Sequence, residues 1–544
     1  MSLEKNNLNN HWAKKTTAYH IFVPSFKDSN GDGIGDLEGI IEKLDYLNDG
    51  TEKSLGIKAA WLSPIFESPM ADYGYDVSDY YKINPLFGSL EIFKRLLEKA
   101  HERNIKIILD LVPNHTSSTH SWFVESRSSR KNPKRDWYVW RDPKPDGSEP
   151  NNWLSVFGGS AWELDPASGQ YYLHNFLLQQ PDLNWRNPEV REEMSKIMDY
   201  WLGMGIDGFR IDAVYNLLED DQFKDDPLNP NYSPSVNDPY DSLLHTNSRR
   251  WRPKLFEALN FLCGVSDKHK EKIIVSEAYL DLPQVVEMYS ACPNSVHAPF
   301  NFNLISLPWN APAFRKFINS FESSLSPDNL PNHVLGNHDC SRVATRLGQS
   351  KSRLAAMLVF SLRGMPFIYY GEELGMEDAI IAKEKIKDGL EARLPGFKFG
   401  RDPERTPMQW DAGLYAGFSV KDPWLNINPN YKNINIESES RDPKSMLNLY
   451  KTLIHFRNKS AAILEGKYES LNSSSLNIFS FILESAEEKL LIVLNFSSVT
   501  SEESYDLGKG ALVCSTYMDE GPGKIIDSKF IRLRPDEGYV IKLK

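Results

Sequence analysis

Cysteine is scarce in this chain: four residues in 544, Cys263, Cys292, Cys340 and Cys514. Their scatter offers no metal-like spacing. It fits free thiols in a reducing compartment better than a disulfide framework. Long apolar runs are missing as well. No stretch approaches the roughly 20 residues needed to cross a bilayer, so no membrane span is expected. The start, Met1 to Lys15, is polar and Asn-rich, without the apolar region of a secretory leader. A cytoplasmic protein is therefore expected. Positive charge is in deficit, with 62 basic against 74 acidic residues and a formal charge of −12. That argues against a nucleic-acid binder, which would show a basic face. There is no low-complexity tract.

What is present is organised around Ile206 to Ala213, the octapeptide Ile-Asp-Gly-Phe-Arg-Ile-Asp-Ala. It reads as a short buried strand, Gly208 to Ile211, with Asp212 at its C-terminal end. Residues two apart on a strand face the same side, so Arg210 and Asp212 share one face. A guanidinium so placed would orient a carboxylate and hold it ionised. Alone, the pair reads more readily as a structural ion pair at a strand end, because Arg and Asp two apart are common.

The rest of the chain alternates strand and helix. Strands are expected at Ala18 to Phe22, Ile57 to Leu62, Lys106 to Val112, Gly208 to Ile211, Lys272 to Ser276, near Ala298 to Leu304, at His333 to Leu335 and at Pro366 to Tyr370. They are continuous apolar runs, as in a parallel sheet covered on both faces. Eight such units make an α/β chain with a closed (β/α)8 barrel, a TIM barrel, whose active site belongs at the strand C-termini. The rhythm breaks over 116–184, which is rich in Trp, Gly, Pro and charge. A structureless loop of that length is improbable in a compact domain, so a small inserted domain is expected after the third strand. From 466 to 544 the pattern is alternating and β-rich, which reads as a C-terminal antiparallel β domain. The barrel then comprises 1–115 and 185–465.

Polar residues cluster in two places. Asp28, Asn30, Asp32 and Asp36 put oxygen at alternate positions, with Gly33 at the turn and Ile34 placed to offer its carbonyl. That is the first part of a calcium loop, although its twelfth position is Gly39 and not Glu. A structural Ca2+ or Mg2+ is expected there; an Asp/Gly surface turn is the plainer alternative. The second place is the strand ends, where Asp212, Glu277 and Asp339 converge. Singly, Glu277 reads as a helix-start carboxylate and Asp339 as a cap. His115 and His338 read singly as core histidines. Together, at the strand ends, these residues favour a functional reading, because two carboxylates across a sugar ring are the minimal apparatus for cleaving a glycosidic bond.

With those residues in view, the chain resembles glycoside hydrolase family 13, the α-amylase family. Its short motifs stand here as Asp110 to His115, Gly208 to Asp212, Glu277 after the fifth strand, and Asn337-His338-Asp339. A fifth, Gln180 to Asn184, has the form found in the oligo-1,6-glucosidase and α-glucosidase group. The stretch Arg401 to Trp410 matches as well. The resemblance implies a retaining mechanism, with Asp212 as nucleophile, Glu277 as acid/base and Asp339 gripping the sugar. It implies that His115 and His338 bind the same sugar, that Arg210 orients Asp212 and that Tyr75 stacks on the ring. It implies an Asp72–Arg405 pair closing the pocket, and Phe157, Phe176 and Phe300 as its walls. Members resembling isomaltases carry valine after the nucleophile; Ala213 here tilts the expectation to α-1,4 or sucrose-like linkages.

The expected activity is exo-acting release of α-glucose from maltose, short malto-oligosaccharides or sucrose. An oligo-1,6-glucosidase and a sucrose isomerase or trehalose synthase are sibling alternatives. A non-catalytic binding protein on the same fold is the alternative of another class. The expected partner is a small glucoside, with no organic cofactor, and the protein a monomer or small homo-oligomer.

Overall fold

The computed structural model describes residues 11–234, 237–249, 253–277, 279–393 and 400–544. Most of the polar start falls outside them. Seven parallel strands form the central sheet: β1 (Ala18–Ile21), β2 (Ala59–Leu62), β3 (Lys106–Leu111), β4 (Gly208–Ile211), β5 (Ile273–Ser276), β6 (Val296–His297) and β7 (Phe367–Tyr369). Their order is β6-β5-β4-β3-β2-β1-β7. Two isolated parallel bridges, Asn301 to His333 and Val334 to Phe367, carry the ring from β6 round to β7. The seventh barrel position is thus a pair of bridges where a strand was expected over His333 to Leu335. The sixth strand is shorter than expected and lies earlier, although Ala298 N and Phe300 N still donate to Ile274 O and Ser276 O of β5. Beyond it the chain turns into a short helix, Asn303–Ser306.

Both faces of the barrel wall are apolar. Ala18, Ala59, Trp61, Ile108, Ile273, Val275 and Phe367 pack together in one cluster. The alternating residues Tyr19, Ile21, Ala60, Leu62, Ile107, Phe209 and Ile274 belong to a second cluster, shared with the helices. The two-residue period of a strand divides them, and burial on both faces explains the unbroken apolar runs.

Local chemistry fixes β4, on which the site depends. The helix before it, Pro188–Met204, starts with Asn187 capping Glu189 N and Pro at its first position. It ends at Gly205, at φ 113°. Asp207 then accepts from Ile107 N at 2.9 Å and pairs with His101 and Lys106, which locks β4 to β3. A Cβ at position 208 would lie 2.3 Å from the Ile273 carbonyl, so only glycine lets β4 and β5 meet there.

Between β3 and β4 stands a three-stranded antiparallel sheet of Trp140–Arg141, Gln170–Leu173 and Trp162–Asp165. The C-terminal region carries a six-stranded antiparallel sheet, from Lys467–Ser470 to Gly538–Leu543. Among the described residues no helix is long and apolar enough to cross a membrane.

The cysteines correct one expectation. Cys263 and Cys292 form a disulfide, their Cα atoms 5.8 Å apart; Cys340 and Cys514 are free. The helix Lys254–Ser266 packs beside the turn at 289–291, which brings together residues 29 apart in sequence.

Candidate active site

The floor of the site is built on one guanidinium. Asp212 and Glu277 follow β4 and β5 directly, and their amides donate to Leu111 O and Ile211 O of the neighbouring strands. Arg210 Nη1 donates to Asp212 Oδ1 at 2.5 Å and to Asp110 Oδ1 at 2.8 Å. Its Nη2 lies 3.1 Å from Glu277 Oε2. Asp110 also accepts from Tyr75 Oη and Trp61 Nε1. Arg210 is 1% exposed, so these pairs sit out of water.

Three carboxylates facing one cation leave an excess of negative charge. Burial pushes Asp212 well upward, against the pull of Arg210 and with Glu277 and Asp110 adding to it. Burial likewise raises Glu277, with Arg210 opposing, and lifts Asp110 to about 6. The ion pair expected from sequence has formed, but burial outweighs its pull on Asp212. Asp212 has the closer contact to the guanidinium, so Glu277 is the better holder of a shared proton. Burial also raises Asp339, but Arg401 and Arg405 overcome it and hold this carboxyl below its usual range.

Above this floor lies a polar rim. Asp339 Oδ1 accepts from Arg405 Nη2 at 2.8 Å and Arg401 Nη1 at 3.1 Å. His338 stacks on Tyr75 at 5.4 Å and shares a 2.8 Å hydrogen bond with its hydroxyl. Gln180 Nε2 donates to Asp72 Oδ2 and lies 3.0 Å from His115 Nε2. Burial lowers His115 to about 3 and drives His338 well down, so both rings are neutral at pH 7. The rim encloses a cavity of about 360 Å³, lined by Asp72, Tyr75, His115, Phe157, Phe176, Asp212, Ala213, Glu277, His338 and Asp339.

Two expected residues lie elsewhere. Arg405 does not reach Asp72. It is fully buried, and its Nε donates to His338 O while Nη2 holds Asp339. Arg401 takes the expected place, with Nη2 2.9 Å from Asp72 Oδ1. The two arginines flank a short turn, Asp402–Glu404, and both reach Asp339 Oδ1, but only Arg401 also reaches Asp72. Phe300 belongs to the barrel interior, against Trp61 and Phe367. The wall residue is Phe302, stacked on Tyr279 at 4.4 Å. Tyr215 and Leu390 also line the cavity. Arg401 was within a quoted motif; nothing in the sequence marked Tyr215, Tyr279 or Leu390.

The loop at 28–36 is remote from this chemistry. Asp28 accepts from Gly31 N, Gly33 N and Ser419 Oγ. Asn30 Oδ1 accepts from Asp32 N, and Asp32 Oδ1 from Ile34 N. Asp36 takes Ser29 and caps the next helix at Gly39 N. The ligand set suits a hard cation, since every ligand atom would be oxygen; Asp28 Oδ1, Asn30 Oδ1 and Asp32 Oδ1 each accept from one amide, whereas Asp28 Oδ2 and both Asp36 oxygens already take two donors. Among the described residues no three acidic, histidine or cysteine side chains stand together as a ready cage.

This geometry agrees with what the chain is similar to. The α-amylase catalytic-domain family matches residues 20–466. An oligo-1,6-glucosidase of Heyndrickxia coagulans is 36% identical, over 94% of this chain and 96% of that protein. Maltase 1 of Drosophila virilis is 39% identical, over 98% and 87%. Among solved structures, the α-glucosyl transfer enzyme XgtA superposes with a TM-score of 0.90 at 36% identity, covering 98% of this chain and all of that one. The chain is a glycoside hydrolase and belongs to the α-amylase family, within its α-glucosidase and oligo-1,6-glucosidase group.

Proposed function

We propose that this chain is a retaining, exo-acting α-glucosidase that releases α-glucose from the non-reducing end of maltose, short malto-oligosaccharides or sucrose. The observation that carries the reading is Arg210, which holds Asp212 and Glu277 on its two terminal nitrogens at the floor of the cavity. A retaining enzyme needs its two carboxyl groups close together, about 5–5.5 Å apart.

In the first step Asp212 attacks the anomeric carbon and forms an ester. Glu277 gives its proton to the departing glycosidic oxygen as the C–O bond breaks. In the second step Glu277 takes a proton from water, the water oxygen bonds to the anomeric carbon, and Asp212 leaves as carboxylate. Burial raises the Glu277 carboxyl, against Arg210, which favours its protonated form for the first step. Asp339, held ionised by Arg401 and Arg405, accepts from sugar hydroxyls. His115 and His338 bond the same ring, Tyr75 offers its face, and Phe157 and Phe176 flank it. The Asp72–Arg401 pair closes the non-reducing end.

Cleavage of α-1,6 linkages is the second reading, because a named oligo-1,6-glucosidase is among the relatives. Transfer or isomerisation would use the same ester with a sugar acceptor in place of water. Proton NMR of the products from maltose, isomaltose and sucrose tests these. Fast release of α-glucose from maltose and little from isomaltose supports the proposal. Preference for isomaltose replaces the linkage, and a rearranged disaccharide replaces hydrolysis.

A structural divalent cation, Ca2+ or Mg2+, belongs to the same proposal. Asp28, Asn30, Asp32, the Ile34 carbonyl and Asp36 would hold it, and it would order the loop without touching substrate. Chelation should lower the melting temperature, and added Ca2+ should restore it; an unmoved melting curve would remove the ion from the proposal. Placement in the cytoplasm is proposed on the free thiols Cys340 and Cys514, against the Cys263–Cys292 disulfide, which favours an oxidising compartment; cell fractionation tests it. A monomer or small homo-oligomer is proposed, with sedimentation as its test.

A further inference from the structure

Arg401 is held by more than the sugar pocket needs. Three carboxylates meet its guanidinium, and two of them, Asp72 and Asp339, line the cavity. The third is Asp388, which is fully buried and lies behind the cavity wall. It makes the most contacts of the three. Its Oδ2 accepts from Arg401 Nε at 3.1 Å and from the Arg401 amide at 2.7 Å, and its Oδ1 accepts from Nη2 at 2.8 Å.

We propose that Asp388 is a positioning residue that sets the orientation of Arg401 and so closes the glucose pocket at its non-reducing end. A carboxylate that grips Nε and Nη2 together fixes the plane of a guanidinium, which a single contact cannot do. With that edge taken, Nη1 is left facing Asp339 and the remaining hydrogen of Nη2 faces Asp72. The plane also lies over the Phe157 ring, 4.9 Å away. The free side chain of an arginine samples many rotamers, and Asp388 removes that freedom before substrate arrives.

The anchor is itself tied down. Asp402 Oδ2 accepts from the amides of Lys387 and Asp388, and its Oδ1 accepts from Tyr73 Oη. Burial works against the charge on Asp388, but Arg401 outweighs it and keeps the carboxyl ionised far below neutral pH. Asp388 touches no cavity surface, so its effect on substrate runs through Arg401.

This inference rests on the exo-acting reading. It is tested by a double-mutant cycle on the full-length protein, with Asp388→Asn, Arg401→Ala and both together. Asp388→Asn should raise the KM for maltose by about ten- to a hundredfold with a much smaller fall in kcat, because Arg401 binds ground state and transition state alike. In the Arg401→Ala background the same change should cost almost nothing. A fall in kcat alone, or the same loss in both backgrounds, would overturn the proposal. Should Asp388→Asn fail to fold, Asp388→Glu keeps the charge, displaces the fork by a methylene and is read through the same cycle. A malto-oligosaccharide blocked at its non-reducing 4-hydroxyl separates the two ideas. Its cleavage by the wild type defeats the exo reading, whereas the cycle alone judges Asp388.

Discussion

The backbone amide of Ala213 donates to Glu277 Oε2 at 2.8 Å. The residue that follows Asp212 on the chain therefore holds the carboxyl of Glu277. Ala213 does this from a left-handed backbone, φ 44° and ψ 41°, and its methyl lines the cavity. Position 213 thus sets both the seat of the acid/base and the space beside the bond to be cleaved.

Ala213→Val should shift specificity towards isomaltose. A β-branched side chain is strained at positive φ, and its extra methyls enter the space where the second sugar must sit. Pocket changes of that size alter discrimination by about 10- to 200-fold. The ratio of kcat/KM for isomaltose to that for maltose is expected to rise by about tenfold. Ala213→Gly, which adopts the backbone freely, should leave the ratio nearer the wild type. An equal loss on both sugars would mean that Ala213 only seats Glu277.

The roles of Asp212 and Glu277 are separable by rescue with azide. Both alanine variants should lose about 10⁴-fold or more in turnover of maltose. With α-glucosyl fluoride, whose leaving group needs no acid, the two should then part. Asp212→Ala leaves room opposite the leaving group, so azide attacks there and gives the β-glucosyl azide. Glu277→Ala still forms the ester on Asp212, so azide displaces that ester and gives the α-glucosyl azide. Proton NMR of the anomeric position reads the result, and the reverse pattern would exchange the two roles.

These carboxylates were legible because each ends a short apolar run, a pattern that survives without any tertiary information. Asp212 and Glu277 do so directly after β4 and β5. What failed to show were choices made by turns. Arg401 and Arg405 are one turn apart and equally good matches for a partner of Asp72; only the turn at 402–404 decides between them. Phe300 and Phe302 would share a face on a strand, but the chain leaves extended geometry at Phe302; the two rings stack within one cluster and only Phe302 reaches the cavity. The Cys263–Cys292 pair joins a helix to a distant turn and has no local signal. Asp388 stood in a polar stretch with nothing to distinguish it from its exposed neighbours.

Glu372 gives a stability prediction with a defined sign. It is buried against the last barrel strand, and its Oε1 has no hydrogen-bond partner. Burial lifts its carboxyl to about 8, with Arg346 and Arg342 opposing and Glu373 reinforcing. A raised value means that the fold prefers the protonated form. Its stabilising contribution is complete below the unfolded value near 4.5, declines as pH rises, and is gone above about 8. Glu372→Gln is neutral throughout. It should melt with the wild type at pH 5 and roughly 2 °C or more above it at pH 9. Equal melting temperatures at pH 9 would mean that Glu372 is ionised in the fold without cost.

The disulfide makes a prediction of its own. The loop between Cys263 and Cys292 spans 29 residues and includes all of β5 together with Glu277. Closing a loop of this length restricts the unfolded chain by an amount worth about 3–4 kcal/mol. Neither cysteine lines the active-site cavity, so its loss should act on stability and leave chemistry in place. Reduction of the wild type, or the Cys263→Ser/Cys292→Ser variant, should lower the melting temperature by several degrees. The value of kcat/KM for maltose, taken well below melting, should stay within about twofold. A melting curve indifferent to reductant would show the pair to be unlinked in solution. A large fall in kcat with an unchanged melting curve would place the link in the catalytic frame and not in the stability of the fold.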